Sequence, residues 1–215
     1  PNGSGKSTVL QAAATVYKPA KGSNSKSVYF ASSFFPDTPW ENFSNATIKY
    51  EVRQGSDTKS DILHKLTTRW RRYENRPDGS AVYVDLSRIV PVAVRSGYAK
   101  LAKPIYTDAS FTSFEDSKIK KLSNILDKGY DSAKISFTNI DSRRAVPVVS
   151  NDGRPYSGFH QGAGETSIIE FLQIDFPPHS LLLIDEIETS LHPRAQRRLI
   201  RHLADRCGTN CTDAN

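Results

Sequence analysis

The first eight residues, PNGSGKST, form a glycine-rich stretch that leads directly into the helix-forming run VLQAAA. Residues 2–7 satisfy the last six positions of the pattern G-x-x-x-x-G-K-[ST], and the first glycine of the pattern would precede Pro1. In such a loop the backbone N–H groups surround phosphates, the lysine neutralises their charge and the hydroxyl binds Mg²⁺. The sequence therefore predicts a phosphate-binding loop, with Lys6 directed at β/γ-phosphates and Ser7 as a metal ligand.

A second candidate site lies near the other end of the chain, where the apolar run LLLI ends in two adjacent carboxylates. A continuous apolar run of this length is typical of a parallel strand that is covered on both faces. At the end of such a strand Asp185 could hold Mg²⁺, and Glu186 could polarise an attacking water as a general base. The two neighbouring acids therefore predict two separate roles at one nucleotide.

These motifs resemble those of the ATP-binding-cassette (ABC-type) ATPases. NGSGKST resembles the Walker A motif of that family, LLIDE resembles its Walker B motif with the catalytic glutamate, and SLHP resembles its D-loop. The longer run IDEIETSLHP is similar to the soluble, non-transporter AAA branch, which includes the overcoming-lysogenization-defect nucleases, recombination and chromosome-maintenance ATPases and many phage-defence ATPases. The resemblance implies ATP and Mg²⁺ as cofactors.

The stretch QGAGE, residues 161–165, is similar to the signature motif of the family, with substitutions, and its last residue lies 20 residues before Asp185. In the family this loop contacts the γ-phosphate of ATP held by the opposite subunit, so the resemblance implies a homodimer that sandwiches ATP. The implied catalytic residue is Glu186, and the implied metal ligands are Ser7 and Asp185. The implied nucleotide-binding residues are Asn2, Gly3, Ser4, Gly5, Lys6, Ser7, Thr8, Gly162, Ala163, Gly164 and Glu165.

The expected fold class is α/β, a P-loop core with an inserted antiparallel β and helical lobe, truncated at both ends. We expect residues 1–35 and 161–215 to form the core and residues 36–160 to form the lobe. The strand before the loop and the strand with a switch histidine would lie outside the sequence. We therefore expect a fragment of a larger protein that by itself binds ATP poorly and is inactive.

Hydrophobic patterning predicts the elements between the two ends. We expect a buried strand at 27–31 and an antiparallel sheet from 46–52, 66–73 and 81–86, the last two flanking the turn RPDG. A capping box, SFED, predicts a helix that ends at Gly129, and residues 141–164 are expected to be turn-rich. A helix is expected over 166–173, and a last helix from Pro193 should turn Leu199, Ile200 and Leu203 inward.

The net charge of +6 is concentrated in one segment, because residues 53–103 hold eleven Lys and Arg against five Asp and Glu. Such a cluster has two readings: a solvated strand face, or a surface for a polyanion such as nucleic acid. No aromatic platform or reading-helix motif accompanies it. The segment thus leaves nucleic acid open as a partner.

The predicted function is ATP hydrolysis by a dimeric nucleotide-binding domain, coupled to a nuclease or another effector in a nucleic-acid-related or phage-defence process. An ATP-gated nucleic-acid clamp or sensor with little hydrolysis is the alternative. A transporter ATPase subunit is disfavoured by the residues that follow the two acids, Ile187-Glu188 and Leu191-His192-Pro193. No apolar stretch approaches the roughly 20 residues that span a bilayer. Only two cysteines occur, Cys207 and Cys211, which favours a reducing, cytoplasmic location.

Overall fold

The computed structural model describes residues 4–19, 28–86, 89–103, 107–174, 176–177 and 179–212, with side chains through residue 205. Its contacts divide the chain into two units. Unit 1 is Pro1–Val84 with Phe176–Asp185, and unit 2 is Asp85–Asp175 with Glu186–Asn215. The predicted mixed α/β class is confirmed, whereas the predicted boundaries of the inserted lobe stay a prediction.

Unit 1 combines helices with two small sheets. Its elements are α1 (Lys6–Ala14), α2 (Ala31–Phe34), β1 (Ala46–Gln54), β2 (Asp57–Lys65), β3 (Trp70–Arg71), a 3₁₀ turn (Tyr73–Asn75), β4 (Ala81–Asp85) and β9 (Leu181–Asp185). Strands β1 and β2 form an antiparallel hairpin with Gln54 opposite Asp57, and β3 extends that sheet. The core behind the sheet contains Ala31, Leu63 and Trp70.

The predicted sheet of unit 1 is partly wrong. The strand at 81–85 exists, but it pairs with β9 in a separate two-stranded sheet and not with the hairpin. The predicted apolar strand is thus β9, and its partner β4 comes from a segment that the sequence assigned to another sheet. Helix α1 packs against β9, so the glycine-rich turn and the apolar strand belong to one unit.

The strand predicted at 27–31 is also wrong within the described residues 28–31, because side chains bind the backbone there. The Ala31 N–H donates to the Tyr73 hydroxyl at 2.9 Å. The Tyr29 carbonyl accepts from the guanidinium of Arg76, which is buried and also donates to the Thr15 carbonyl, each at 3.0 Å. With these groups satisfied by side chains, a strand ladder is not needed.

Unit 2 carries a four-stranded antiparallel sheet in the order β5-β6-β7-β8. Its elements are two 3₁₀ turns (Val92–Val94 and Ala99–Leu101), β5 (Asp108–Ser113), α3 (Asp116–Leu126), β6 (Ser132–Thr138), β7 (Asp141–Asn151), β8 (Arg154–Ser157), α4 (Ala163–Phe171), α5 (Ile187–Ser190) and α6 (Pro193–Thr212). The turn-rich reading of 141–164 is wrong for β7 and β8. Asp152 and Gly153 both have positive φ and close a two-residue hairpin between them.

The helices of unit 2 follow the predicted pattern with small differences. Helix α3 buries Leu122 and Ile125, but its N-cap is Glu115 without a side-chain cap bond, so the predicted capping box is wrong. It ends at Leu126 with Asp127 as a left-handed C-cap, which lies two residues before the predicted Gly129. Helix α6 begins at Pro193 as predicted. Leu199 is fully buried, whereas Ile200, which was predicted to face inward, is 52% exposed.

Two properties concern membranes and metals. Within the ranges described, none of the helices combines the length and the apolar character that crossing a bilayer requires. Among the same residues, no three His, Cys, Asp or Glu side chains converge to form a metal site by themselves.

Candidate nucleotide site

The glycine-rich turn leads directly into α1, and Gly5 lies at their junction. Gly5 is the N-cap of α1 with φ of +81°, a conformation that L side chains rarely adopt, and its carbonyl accepts from the Val9 N–H at 3.0 Å. Ser4, Lys6 and Thr8 are exposed, and Ser7 is half-buried. The candidates Asn2 and Gly3 lie outside the described residues. The described part of the turn, from Ser4 onward, thus lies at the surface together with Lys6 and the start of α1.

Asp185 ends β9 and is only 5% exposed. One of its carboxylate oxygens, Oδ2, accepts a hydrogen bond of 3.0 Å from the hydroxyl of Tyr83 on β4. That hydroxyl also accepts a long hydrogen bond of 3.4 Å from Nε2 of Gln11 on α1. The three side chains form a bridge from the middle of the phosphate-loop helix to the carboxylate.

The bridge also orients the start of α1. Ser7 and Gln11 are four residues apart, so they lie on the same face of the helix. Because Gln11 reaches the Tyr83–Asp185 pair, the face of α1 that carries Ser7 is the face that looks toward Asp185. The two predicted metal ligands thus belong to one unit, and their sharing of one ion stays a prediction.

Tyr83 is fixed by an aromatic cluster. Its ring packs edge-on against Phe34 at a centroid distance of 5.3 Å and against Tyr29 at 6.4 Å. Its backbone N–H donates to the Tyr29 hydroxyl at 3.0 Å. Motif reasoning missed Tyr83 and Gln11, since neither belongs to a motif. The only signal for Tyr83 was its position within a strand-like run.

We predict that Tyr83→Phe lowers the free energy of unfolding by about 1.5–3 kcal/mol, because a buried carboxylate loses one of its donors. Thermal unfolding followed by circular dichroism measures the change. The matched control is Tyr17→Phe, since Tyr17 also lies in unit 1 and has no hydrogen-bond partner for its hydroxyl among the described residues. Equal stability of the Tyr83 variant and the wild type would contradict the bridge.

Glu186 follows Asp185 directly and belongs to unit 2. It is the N-cap of the short helix α5 and has φ of +55°, which costs a non-glycine residue of order 1–3 kcal/mol. Its Oε2 accepts a hydrogen bond of 2.7 Å from the hydroxyl of Thr189. A strained backbone and a local hydrogen bond therefore hold the predicted general base in a defined position.

The signature-like residues lie at the start of α4. Gly162 is the N-cap, in an extended conformation, and Ala163 and Gly164 begin the helix. A Cβ added to Gly164 would lie 2.8 Å from the carbonyl oxygen of Ser190 and 3.5 Å from a methyl carbon of Leu191. The second glycine is thus required by close approach to the D-loop-like segment, which joins two motifs that are separated in the sequence.

We predict that Gly164→Ser destabilises the protein by about 1–3 kcal/mol, because the added atoms overlap a backbone oxygen that cannot move away alone. The matched control is Gly162→Ser. A Cβ there meets no atom within 4 Å, and serine is a favoured N-cap residue, so stability should be unchanged or higher. The melting temperatures of the two variants are compared. Equal values would contradict the close approach of the Ser190 carbonyl to Gly164.

Glu165 has partners within unit 2. Its Oε1 accepts hydrogen bonds from the Tyr130 hydroxyl, from the Tyr156 hydroxyl at 2.5 Å and from Lys128 Nζ at 3.3 Å. Burial raises the pKa of both tyrosines, and the hydrogen bond to Glu165 raises it further, so both hydroxyls stay protonated donors. These contacts fasten the first turn of α4 to the sheet of unit 2, and the predicted nucleotide contact of Glu165 stays a prediction.

The amino-terminal end of α4 also contains unsatisfied polar atoms. Gln161 is 6% exposed, and its Nε2 is buried without a hydrogen-bond partner in the described part of the chain. The hydroxyl of Ser190, whose carbonyl adjoins Gly164, is in the same situation. Buried polar atoms are usually hydrogen-bonded, so the two unpaired atoms indicate that a polar group from outside the described residues could bind beside the start of α4.

Comparison with known proteins agrees with the motifs. The chain matches a family model described as "AAA domain, putative AbiEii toxin, Type IV TA system" over residues 1–213. No curated protein and no solved structure shows significant similarity to it. The match spans the phosphate-loop turn, the Tyr83–Asp185 bridge and the start of α4, and the chain therefore belongs to this AAA-domain family of P-loop ATPases.

Proposed function

We propose that the protein binds MgATP and hydrolyses it to ADP and phosphate. The observation that carries the proposal is the Gln11–Tyr83–Asp185 bridge, which directs the Ser7 face of α1 toward the carboxylate of β9. A phosphate-loop helix and a strand-end aspartate that meet in this way support one triphosphate–magnesium site. Membership of the AAA-domain family supports the same activity.

In this proposal the turn before α1 holds the phosphates. The N–H groups of the first turn of a helix have no partner within the helix, and the helix dipole favours an anion there. Gly5 provides the left-handed backbone that such a turn requires. Lys6, exposed at the first position of α1, neutralises the β- and γ-phosphates.

The residues present fit a magnesium ion. Mg²⁺ prefers hard oxygen ligands and is usually held by one or two protein oxygens together with nucleotide phosphates and water. The Ser7 hydroxyl and the Asp185 carboxylate are such oxygens, and both are in unit 1. When bound, the ion would neutralise charge that develops on the phosphates. Tyr83 orients the carboxylate by donating to Oδ2.

Glu186 is proposed as the general base that takes a proton from the attacking water. The hydrogen bond from the Thr189 hydroxyl orients its carboxylate. Preorganisation of this kind is typical of catalytic groups. The proposal assigns binding to Lys6, Ser7 and Asp185 and the proton transfer to Glu186, so substitutions should separate the two.

The ATP-bound state is proposed to be a homodimer in which Gly162–Glu165 of one protomer meets the nucleotide held by the other. The unpaired Gln161 Nε2 and Ser190 hydroxyl support a polar ligand at this end of α4. The finer branch assignment, to a phage-defence or overcoming-lysogenization-defect-like ATPase coupled to a nuclease or another effector, is part of the same proposal. The family description adds a toxin–antitoxin context.

A nucleic-acid clamp through residues 53–103 is the second candidate, but several cations of that segment have internal partners. The structure pairs Lys65 with Asp37, Arg72 with Asp61, Arg95 with Glu170 and Lys100 with Asp141. Arg76 is buried on backbone carbonyls. These contacts leave fewer cations of the segment available to a polyanion, so ATP hydrolysis is the first proposal.

A further inference from the structure

A groove of about 310 Å³ runs between α3 and α6 of unit 2, where the two helices pack against each other. Its lining includes Lys120 and Lys121 from α3 and Arg198, Arg201 and His202 from α6. The carboxylate of Asp205 also lines it. Positively charged side chains thus outnumber acidic ones, and they come from both walls.

One of these cations fixes the walls. Arg198 forms an ion pair of 2.9 Å with Asp127 at the end of α3, and its Nη1 donates to the Asn124 carbonyl at 2.7 Å. Arg194 also pairs with Asp127, at 3.2 Å. These contacts lower the pKa of Asp127, so the pairs persist at neutral pH. The groove is therefore held open by contacts that do not involve its remaining cations.

The remaining cations are available to a ligand. Lys120, Lys121 and Arg201 have no ion-pair partner within the described residues, and Lys120 and Arg201 are exposed. Arg197 is exposed as well and lies one helical turn before Arg201, about 6 Å along the axis. Phosphates of one nucleic-acid strand succeed each other every 3.4 Å along the duplex axis, so the spacing of Arg197 and Arg201 is close to that of every second phosphate, about 7 Å.

The lining excludes other kinds of ligand. Among the described lining residues the only aliphatic side chain is Ile125, which is 1% exposed, so this part of the groove lacks the large apolar anchors typical of protein interfaces. Among its described lining residues His202 is the one aromatic side chain, and no Phe, Tyr or Trp is present there to form a stacking platform for unpaired bases. A polar, cationic groove of this kind suits the phosphodiester backbone of a duplex.

We propose that the α3–α6 groove binds the phosphate backbone of a nucleic-acid duplex without reading its sequence. This goes beyond the ATPase proposal and does not depend on it. It also differs from the surface that charge counting indicated: Lys65, Arg72, Arg95 and Lys100 of that segment form ion pairs, whereas Lys120, Lys121 and Arg201 of the groove have no ion-pair partner within the described residues. Binding should therefore depend on Lys120, Lys121 and Arg201.

The test is fluorescence anisotropy of a labelled 20-base-pair DNA duplex titrated with the full-length protein, without nucleotide, at several salt concentrations. Changing Lys120, Lys121 and Arg201 together to Gln should weaken binding at least about 10-fold and make the log–log salt slope shallower by about 2–3. The matched control changes Lys59, Arg69 and Arg71 to Gln, which removes the same charge from exposed sites in residues 53–103. It should change affinity less than about 2-fold. Circular dichroism confirms that both variants fold.

A charge-conserving variant sharpens the result: Lys120→Arg, Lys121→Arg and Arg201→Lys combined should retain binding and the salt slope. Three results would overturn the proposal. They are absence of duplex binding by the wild type, equal loss in the control and groove variants, and binding of poly-glutamate in preference to the duplex. The last result would assign the groove to an acidic protein.

Discussion

Replacing Glu186 with Gln is expected to lower the rate of ATP hydrolysis by about 10²- to 10⁴-fold, while MgATP affinity stays within about 2-fold of the wild type. The amide keeps the size of the side chain and can accept a hydrogen bond from Thr189, but it cannot take a proton from water. Loss of turnover with intact binding is the signature of an interaction made only in the transition state. Phosphate release and a nucleotide titration on the full-length protein measure the two quantities.

The matched control is Glu188→Gln, an acid two residues further along on α5 that has no role in the proposed site. It should leave turnover unchanged. If the nucleotide is shared between protomers, the Glu186 variant should accumulate as a dimer on a sizing column when MgATP is present. If the Glu186→Gln variant hydrolyses ATP at the wild-type rate, Glu186 is not the general base.

Replacing Lys6 with Ala is expected to weaken MgATP binding by about 10- to 100-fold, because a charge-assisted contact to phosphate contributes about 1.5–3 kcal/mol. Lys6 is exposed at the start of α1, so its loss should not affect folding. The same variant should fail to form the nucleotide-dependent dimer. Calorimetric titration of the full-length protein with MgATP measures the affinity.

Lys59→Ala is the control for this change, since Lys59 is an exposed lysine of the same unit and lies on the hairpin. Its affinity for MgATP should equal that of the wild type. Equal affinity of the Lys6 variant would contradict the phosphate-loop assignment, whatever the effect on turnover.

The two ends of the chain could be predicted from sequence because their signals are local. Glycines before a lysine and an alanine-rich run mark the turn into α1, an uninterrupted apolar run marks β9, and a proline marks the first turn of α6. Each signal depends on neighbours within one or two helical turns. The elements that carry the predicted candidates are therefore present near the positions that these signals indicate.

The pairing of strands could not be predicted in the same way. The pattern of β4 indicates a strand, but the same alternation would suit either sheet, and its partner β9 is about 100 residues away in sequence. The backbone at 29–31 read as a strand because it is apolar, yet Tyr73 and Arg76 bind it instead. Contacts made by distant side chains decide these cases.

The same limit explains why Tyr83 and Gln11 were missed. Neither residue belongs to a phosphate-loop or strand-end motif, and their roles arise only when α1, β4 and β9 come together. The roles of Lys120, Lys121 and Arg201 likewise arise from the packing of α3 on α6. The charge count along the sequence indicated a different segment because it could not show which cations are already paired.

Ser7 and Asp185 are proposed to hold the same magnesium triphosphate, and a double-mutant cycle tests this shared site most directly. Mg²⁺-dependent ATP affinity is measured for Ser7→Ala, Asp185→Asn and the double variant of the full-length protein. If both oxygens serve one ion, the double variant should lose less than the two single losses combined, with a coupling of about 0.5–3 kcal/mol. Losses that add within about 0.3–0.5 kcal/mol would contradict a shared site.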